Sequence, residues 1–77
     1  MVFVLVNSKQ EAEETVQAAL TAIDGVQEIY SVTGAYNSIA KVIAPSMDLI
    51  KTTILEQIRA IPAVRSTLTM VVAESGA

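Results

Sequence analysis

Two short stretches of the chain each mark the end of a helix and the start of a strand, and their repetition gives the order of the elements. Residues 22–26 read Ala-Ile-Asp-Gly-Val, and residues 60–64 read Ala-Ile-Pro-Ala-Val. Each stretch follows a segment with apolar residues at helical spacing and precedes a run of strand-forming residues. The predicted order is therefore strand–helix–strand, twice.

Local signals place the individual elements. The predicted strands are residues 2–6, 26–33, 38–44 and 64–73, followed by a frayed tail at 74–77. Ser8 and Glu11 have the spacing of a capping box at the start of the first helix, and Gly25 suits its left-handed end. Ser46 caps the second helix. Within that helix, Leu49, Ile50, Ile54, Ile58 and Ile61 are expected on or beside the apolar face. Leu55 falls on the polar side, where an isolated exposed leucine is the default interpretation.

Two strand–helix–strand halves interleave into a ferredoxin-like antiparallel sheet with both helices on one face. We therefore expect an α+β sandwich of βαββαβ order in one domain, residues 1–77. The uncovered face should be apolar, because Phe3 and Leu5 alternate with valines in the first strand, and Leu68 and Met70 share one side of the last. With 52% hydrophobic and 17% charged residues, the chain has more apolar surface than a small domain hides. Packing this face on a second subunit would give a dimeric α/β barrel.

The segment between the second and third strands carries the polar groups best suited to hold a small molecule. Gly34 lies where the chain must reverse, and Thr33, Tyr36, Asn37 and Ser38 surround it. Backbone N–H groups at a glycine turn can hold a carboxylate, and side-chain oxygens can accept from an ammonium group. The plainer interpretation is a simple hairpin, since turns are polar by default.

Residues 26–42, Val-Gln-Glu-Ile-Tyr-Ser-Val-Thr-Gly-Ala-Tyr-Asn-Ser-Ile-Ala-Lys-Val, resemble the central signature of the RAM domain. That domain is the effector-binding half of Lrp/AsnC-type transcription regulators. Nearly the whole chain fits the resemblance, including residues 61–67, and Val-Thr-Gly-x-Tyr followed by Asn is its more specific part. The family most often has Asp where this chain has Asn37. ACT domains share the fold order and ligand class, but this turn favours RAM.

The resemblance implies a pocket for a free amino acid that forms between dimers, from the turn and the fourth strand. The ligand-binding residues that it assigns here are Thr33, Gly34, Tyr36, Asn37, Thr67 and Thr69. For the two strand threonines, ordinary strand propensity is the plainer explanation. Asn37 supplies a dipole where the family's Asp supplies a charge, so we expect either a lower affinity or a different class of ligand. Regulators of this family carry an N-terminal helix-turn-helix domain. This chain starts at the first strand, so we expect a stand-alone RAM protein that assembles beyond the dimer or joins full-length Lrp/AsnC-type regulators.

Charge and residue content argue against several other functions. The net charge is −3, and the basic residues are scattered, which is poor material for binding nucleic acid directly. The sequence has no Cys and no His, so thiol chemistry and the commonest general base are absent, and we expect no cofactor and no metal site. The glutamates of the first helix are expected to complement its dipole rather than bind a metal. The apolar start is too short for a signal peptide or a membrane span, which favours a cytoplasmic protein.

Catalysis has one candidate pair, Tyr36 and Lys41, on or next to the third strand. A lysine with a packed stem and a solvated amine is much commoner than a catalytic one, and no nucleophile or phosphate-binding motif is present. We therefore expect no enzyme and no catalytic residue. The alternatives left open are a dimeric α/β-barrel enzyme and a purely structural assembly module.

Overall fold

The computed structural model describes residues 1–72 and contains a four-stranded antiparallel sheet with two helices packed on one face. The strands are β1 (Val2–Ser8), β2 (Val26–Ser31), β3 (Ser38–Val42) and β4 (Val64–Val71). Their spatial order is β2-β3-β1-β4, with every neighbouring pair antiparallel. This confirms the ferredoxin-like βαββαβ order. The predicted end of β4 at residue 73 and the tail at 74–77 lie outside the described residues.

The core lies between the helices and one face of the sheet. Along β1 every second residue is fully buried, because side chains alternate between the two faces of a strand. The buried apolar residues are Val2, Val4, Val6, Val16, Leu20, Ala40, Val42, Ile50, Ile54, Leu55 and Ile58. The valines of β1 thus form the floor on which both helices pack.

The first helix, α1, is Glu13–Thr21, and a 3-10 turn at Gln10–Ala12 precedes it. The predicted capping box is wrong, because Ser8 is the last residue of β1 and is 3% exposed. The Lys9 N–H donates to the carbonyl of Ala63 at 3.1 Å, which carries the backbone pairing past the predicted end of the strand. Within residues 1–72, no side chain caps the start of the 3-10 turn or of α1.

The second helix, α2, has three consecutive parts, Met47–Leu49, a π-helical turn at Ile50–Ile54, and Leu55–Arg59. Ser46 caps it as predicted, since its hydroxyl accepts from the Leu49 N–H at 3.2 Å. The predicted sides of two leucines on this helix are wrong. Leu49, expected on the apolar face, is 44% exposed, whereas Leu55, expected on the polar side, is buried. A π-helical turn closes i→i+5 hydrogen bonds and holds an extra residue, so it changes the helical phase between these two positions.

The two junctions that repeat in the sequence have a positive φ at the matching position. Gly25 has φ +100°, as predicted for a left-handed helix end, and Ala63 at the matching position has φ +78°. A Cβ at Gly25 would lie 2.9 Å from Ile54 Cδ1 and 3.1 Å from the Ile43 carbonyl oxygen. The first junction therefore requires glycine, whereas the second holds an alanine in a conformation that L-residues seldom adopt.

The sheet face opposite the helices, called here the back face, is apolar across its centre. Phe3 pairs with Met70, and Leu5 pairs with both Leu68 and Ile39, so these side chains share one side of the sheet. Leu68 is 47% exposed and Met70 is 53% exposed. The predicted apolar character of this face is thus present in the described structure.

Candidate ligand-binding site at the β2–β3 turn

The turn between β2 and β3 is fastened to the end of β1 by backbone and side-chain hydrogen bonds. The Asn37 N–H donates to the carbonyl of Val6 at 3.0 Å, and the Val32 N–H donates to the carbonyl of Asn37 at 2.8 Å. The Asn7 amide nitrogen donates to the carbonyl of Ala35 at 3.0 Å. These contacts hold both sides of the turn, so its backbone is fixed before any ligand arrives.

Between those anchors the turn presents unused backbone donors. Within residues 1–72, the N–H groups of Thr33, Gly34, Ala35 and Tyr36 donate to no protein oxygen. Gly34 has φ +120°, and a Cβ built on it would meet nothing within 4 Å. The glycine is therefore required by its backbone conformation, and the space beside it is open. Successive free N–H groups on a fixed turn are a suitable wall for an anionic group.

An open cavity of about 370 Å³ lies against this turn. Its lining residues are Gln10, Glu13, Ser31, Val32, Thr33, Gly34, Tyr36 and Asn37. Thr33, Gly34, Tyr36 and Asn37, four of the six predicted site residues, line this one cavity. Gln10 and Glu13 were not among the predicted site residues, and the glutamates of the first helix were expected to complement its dipole. The signal available for them was topological, since α1 begins beside the end of the sheet that carries the turn.

Asn37 has a structural partner in addition to its place in the cavity. Its side-chain oxygen Oδ1 accepts from the Ser8 N–H at 2.8 Å. An amide oxygen has two lone pairs, so one remains for a ligand. The oxygen expected to receive the ligand's ammonium is thus already joined to β1.

Gln17 links α1 to the base of the turn. Its amide nitrogen donates to Ser31 Oγ at 2.8 Å and lies 3.3 Å from Ser38 Oγ, at the adjoining ends of β2 and β3. Ser38 is fully buried, so this contact satisfies a hydroxyl that would otherwise be unpaired in the core. The start of α1 is therefore held in place against the cavity.

Thr67 and Thr69 lie apart from the turn. They pair with Val6 and Val4 on β4, on the helix-covered side of the sheet. Ser38 pairs with Val6 from the opposite side, so β1 separates Thr67 from β3. At the usual strand spacing the backbones of Thr67 and Ser38 are about 10 Å apart. One chain therefore brings together the four turn residues but leaves the two threonines outside their cavity.

Lys41, the other half of the candidate catalytic pair, lies on the back face with Glu28 and Tyr30. Its Nζ is 3.7 Å from Glu28 Oε2, and that oxygen accepts from the Tyr30 hydroxyl at 2.6 Å. The Tyr30 hydrogen bond, and then the charge of Lys41, hold the pKa of Glu28 below its ordinary value. The same hydrogen bond raises the pKa of Tyr30. Lys41 is thus engaged away from the turn cavity.

No group of three or more acidic, histidine or cysteine side chains among the described residues is arranged to hold a metal ion. The helices described are also too short or too polar to cross a membrane. The lining of the turn cavity combines backbone N–H groups, side-chain amides, hydroxyls and one carboxylate, and these groups suit a polar organic molecule.

Several solved structures share this architecture. The crystal structure of FFRP-DM1 is 32% identical and aligns over 94% of this chain and 96% of that chain, with a TM-score of 0.86. AsnC from E. coli is 27% identical over 99% of this chain and 52% of that chain, with a TM-score of 0.87. The transcriptional regulator NMB0573 from Neisseria meningitidis, solved as an L-Met complex, shares the fold alone. It is 17% identical over 95% of this chain and 49% of that chain, with a TM-score of 0.79.

A search among curated proteins finds no match. The family model described as the Lrp/AsnC ligand binding domain, in contrast, matches residues 1–75. This match spans the whole sheet, both helices and the turn, and it agrees with the resemblance carried by residues 26–42. The chain therefore belongs to the Lrp/AsnC ligand-binding domain family, whose members are effector-binding modules of transcription regulators.

Proposed function

We propose that this domain binds a free amino acid at the β2–β3 turn and assembles through its back face. In this account it regulates amino-acid metabolism, either as its own assembly or together with full-length Lrp/AsnC-type regulators. The proposal gives the domain no catalytic role and no direct contact with DNA. Regulation would come from the effect of the bound amino acid on assembly.

The observation that carries the proposal is the fixed turn with its unused N–H groups. Gly34 keeps the backbone open to a ligand, and the hydrogen bonds of Asn37 and Asn7 to neighbouring segments hold it in shape. A carboxylate is the group that such amides bind best. Tyr36 offers a ring as a wall and a hydroxyl as a polar contact.

Assembly is supported by the back face. A patch that joins the half-buried Phe3 and Leu5 to the exposed Leu68 and Met70 is unusual for a protein that remains a monomer. Packing two such faces would bury them and give a dimeric α/β barrel. In the proposed assembly, Thr67 and Thr69 contribute to the ligand site from a neighbouring chain, because β1 separates them from the turn of their own.

Thermal melts of the purified protein with each of the standard L-amino acids test the binding proposal. One or a few should raise the melting temperature, and L-Met is the first to try because NMB0573 was solved with it. At a ligand concentration about 100 times Kd, linkage predicts a stabilisation of about 2.7 kcal/mol per site. Gly34→Val should abolish the shift, because valine cannot adopt the φ of Gly34. Ala35→Val, which adds similar bulk beside it, should retain much of it.

A second candidate function is a structural assembly module without a ligand, and the back face is the observation that favours it. The two accounts differ in the same melts. If no amino acid at millimolar concentration shifts the melting temperature while the protein is oligomeric, assembly alone is the better account. Co-purification with a helix-turn-helix protein of the Lrp/AsnC type would separately support the mixed oligomer.

A further inference from the structure

We infer that Glu13 recognises the positively charged group of the ligand. A zwitterionic amino acid would then lie between the turn and the start of α1, with its carboxylate on the turn amides and its ammonium group beside Glu13. This inference rests on the proposed function, because it assigns the orientation of a ligand at the same cavity. It differs from that proposal in naming a residue of α1 whose charge was expected only to complement the helix dipole.

The charge of the cavity is the first reason. Among the residues that line it, Glu13 alone carries a formal charge at neutral pH, and neither lysine nor arginine is present. A cavity with one uncompensated carboxylate favours a cationic group over an anionic one. The negative charge that the family's usual Asp would bring at position 37 is thus supplied by α1.

The hydrogen bond of Asn37 is the second reason. Its Oδ1 accepts from the Ser8 N–H at 2.8 Å, which leaves one lone pair for any ligand. The Glu13 carboxylate accepts a longer and weaker hydrogen bond than Asn37 does. Its contact with the Gln17 amide is 3.5 Å long, at the limit of a hydrogen bond, whereas that amide makes a 2.8 Å contact with Ser31. Glu13 therefore has acceptor capacity free for an ammonium group.

The arrangement of donors and acceptors is the third reason. The turn contributes N–H groups from Thr33 to Tyr36, and α1 contributes the carboxylate, on different elements around one cavity. An α-amino acid carries its carboxylate and its ammonium group on the same carbon, so the proposed ligand places both groups in this one cavity. Charge-assisted hydrogen bonds to both groups would fix the ligand's orientation.

The ordinary explanation for Glu13 is that acids in the first turn of a helix complement its dipole. Glu14 lies in the same first turn and is exposed, but it does not line the turn cavity. Glu14→Gln and Glu13→Gln therefore remove the same charge from the same helix end. Only the second removes a carboxylate from the cavity, so the pair separates ligand recognition from the dipole effect.

The test is isothermal titration calorimetry on the wild-type protein, Glu13→Gln and Glu14→Gln. Each is titrated with the standard L-amino acids and with n-butylamine, a probe that carries only the cationic group. An amino acid that binds the wild type should bind Glu14→Gln with similar affinity and Glu13→Gln about tenfold or more weakly, since a tenfold change corresponds to about 1.4 kcal/mol. Circular dichroism melts of the two variants check that both fold.

Each outcome decides between the two claims. Equal affinity of an amino acid for Glu13→Gln and the wild type would overturn this inference and leave the proposed function standing. Binding of n-butylamine that depends on Glu13, without binding of any amino acid, would support the cation site and count against amino-acid sensing. Binding of neither class of probe would contradict both.

Discussion

The side-chain oxygen of Asn37 accepts a hydrogen bond from the backbone N–H of Ser8 at 2.8 Å, and this contact joins the β2–β3 turn to the end of β1. Asn37→Ala leaves a part-buried N–H without its acceptor. We expect the free energy of unfolding to fall by about 1–3 kcal/mol, measured by urea denaturation. No loss of stability in this variant would show that the contact does not hold the turn.

Asn37→Asp provides the matched comparison, because a carboxylate can accept from the same N–H. This variant should lose less stability than Asn37→Ala in the same denaturation experiment. It should also change which amino acid gives the largest melting shift, because it adds a second negative charge to the cavity that holds Glu13. An unchanged ranking of amino acids would mean that position 37 does not face the ligand.

Ala63 has φ +78°, a conformation that costs an L-residue about 1–2 kcal/mol. Ala63→Gly removes that strain. It also lowers stability by about 0.4–1 kcal/mol, because glycine gives the unfolded chain more conformational freedom. We therefore expect a net gain in unfolding free energy of up to about 1.5 kcal/mol. Gly25→Ala, at the matching junction, should instead destabilise, because its Cβ would crowd Ile54 and the carbonyl of Ile43. Destabilisation by Ala63→Gly would contradict this account of the junction.

Leu68 and Leu49 are leucines of similar exposure, 47% and 44%, on different surfaces. Leu68 lies on the back face, whereas Leu49 lies on α2. If assembly uses the back face, Leu68→Asp should lower the mass measured by light scattering to that of the monomer. Leu49→Asp should leave the mass unchanged. The opposite pattern would place the interface elsewhere.

The lowered pKa of Glu28 predicts a dependence of stability on acid pH. A carboxylate whose folded pKa is depressed stabilises the fold above its ordinary pKa, and this stabilisation is lost as pH falls through the folded pKa. The stability advantage of the wild type over Glu28→Gln should therefore disappear on acidification. Tyr30→Phe and Lys41→Met should each remove part of this pH dependence, because the Tyr30 hydrogen bond and then the charge of Lys41 lower the pKa of Glu28. An advantage that stays constant with pH would contradict the assignment.

The sequence was sufficient for the order of the elements and for the residues of the turn, because both depend on local patterns. Helical spacing, Gly25 and the strand-forming runs identify the βαββαβ order without knowledge of tertiary contacts. The exposure of Leu49 and the burial of Leu55 were not predictable in this way, because a π-helical turn changes the phase that a constant helical period assumes.

The missed residues of the site depend on contacts between distant segments. Ser8 has the spacing of a helix cap, yet β1 extends through it. The Ser8 N–H donates to the side chain of Asn37, and the Lys9 N–H donates to the carbonyl of Ala63. That extension moves the start of α1 and places Glu13 in the cavity. Thr67 was grouped with the turn because of the family resemblance, whereas the sheet order puts β1 between them.

The central claim is that a free amino acid binds at the turn amides, and nuclear magnetic resonance of the ¹⁵N-labelled protein tests it most directly. The labelled protein is titrated with each standard L-amino acid to millimolar concentration. The account predicts that at least one amino acid shifts the amide signals of Thr33, Gly34, Ala35 and Tyr36 saturably. The amide signal of Ile43, whose N–H donates to the carbonyl of Gly25 away from the turn, should not shift. Turn amides that do not move with any amino acid would contradict the account.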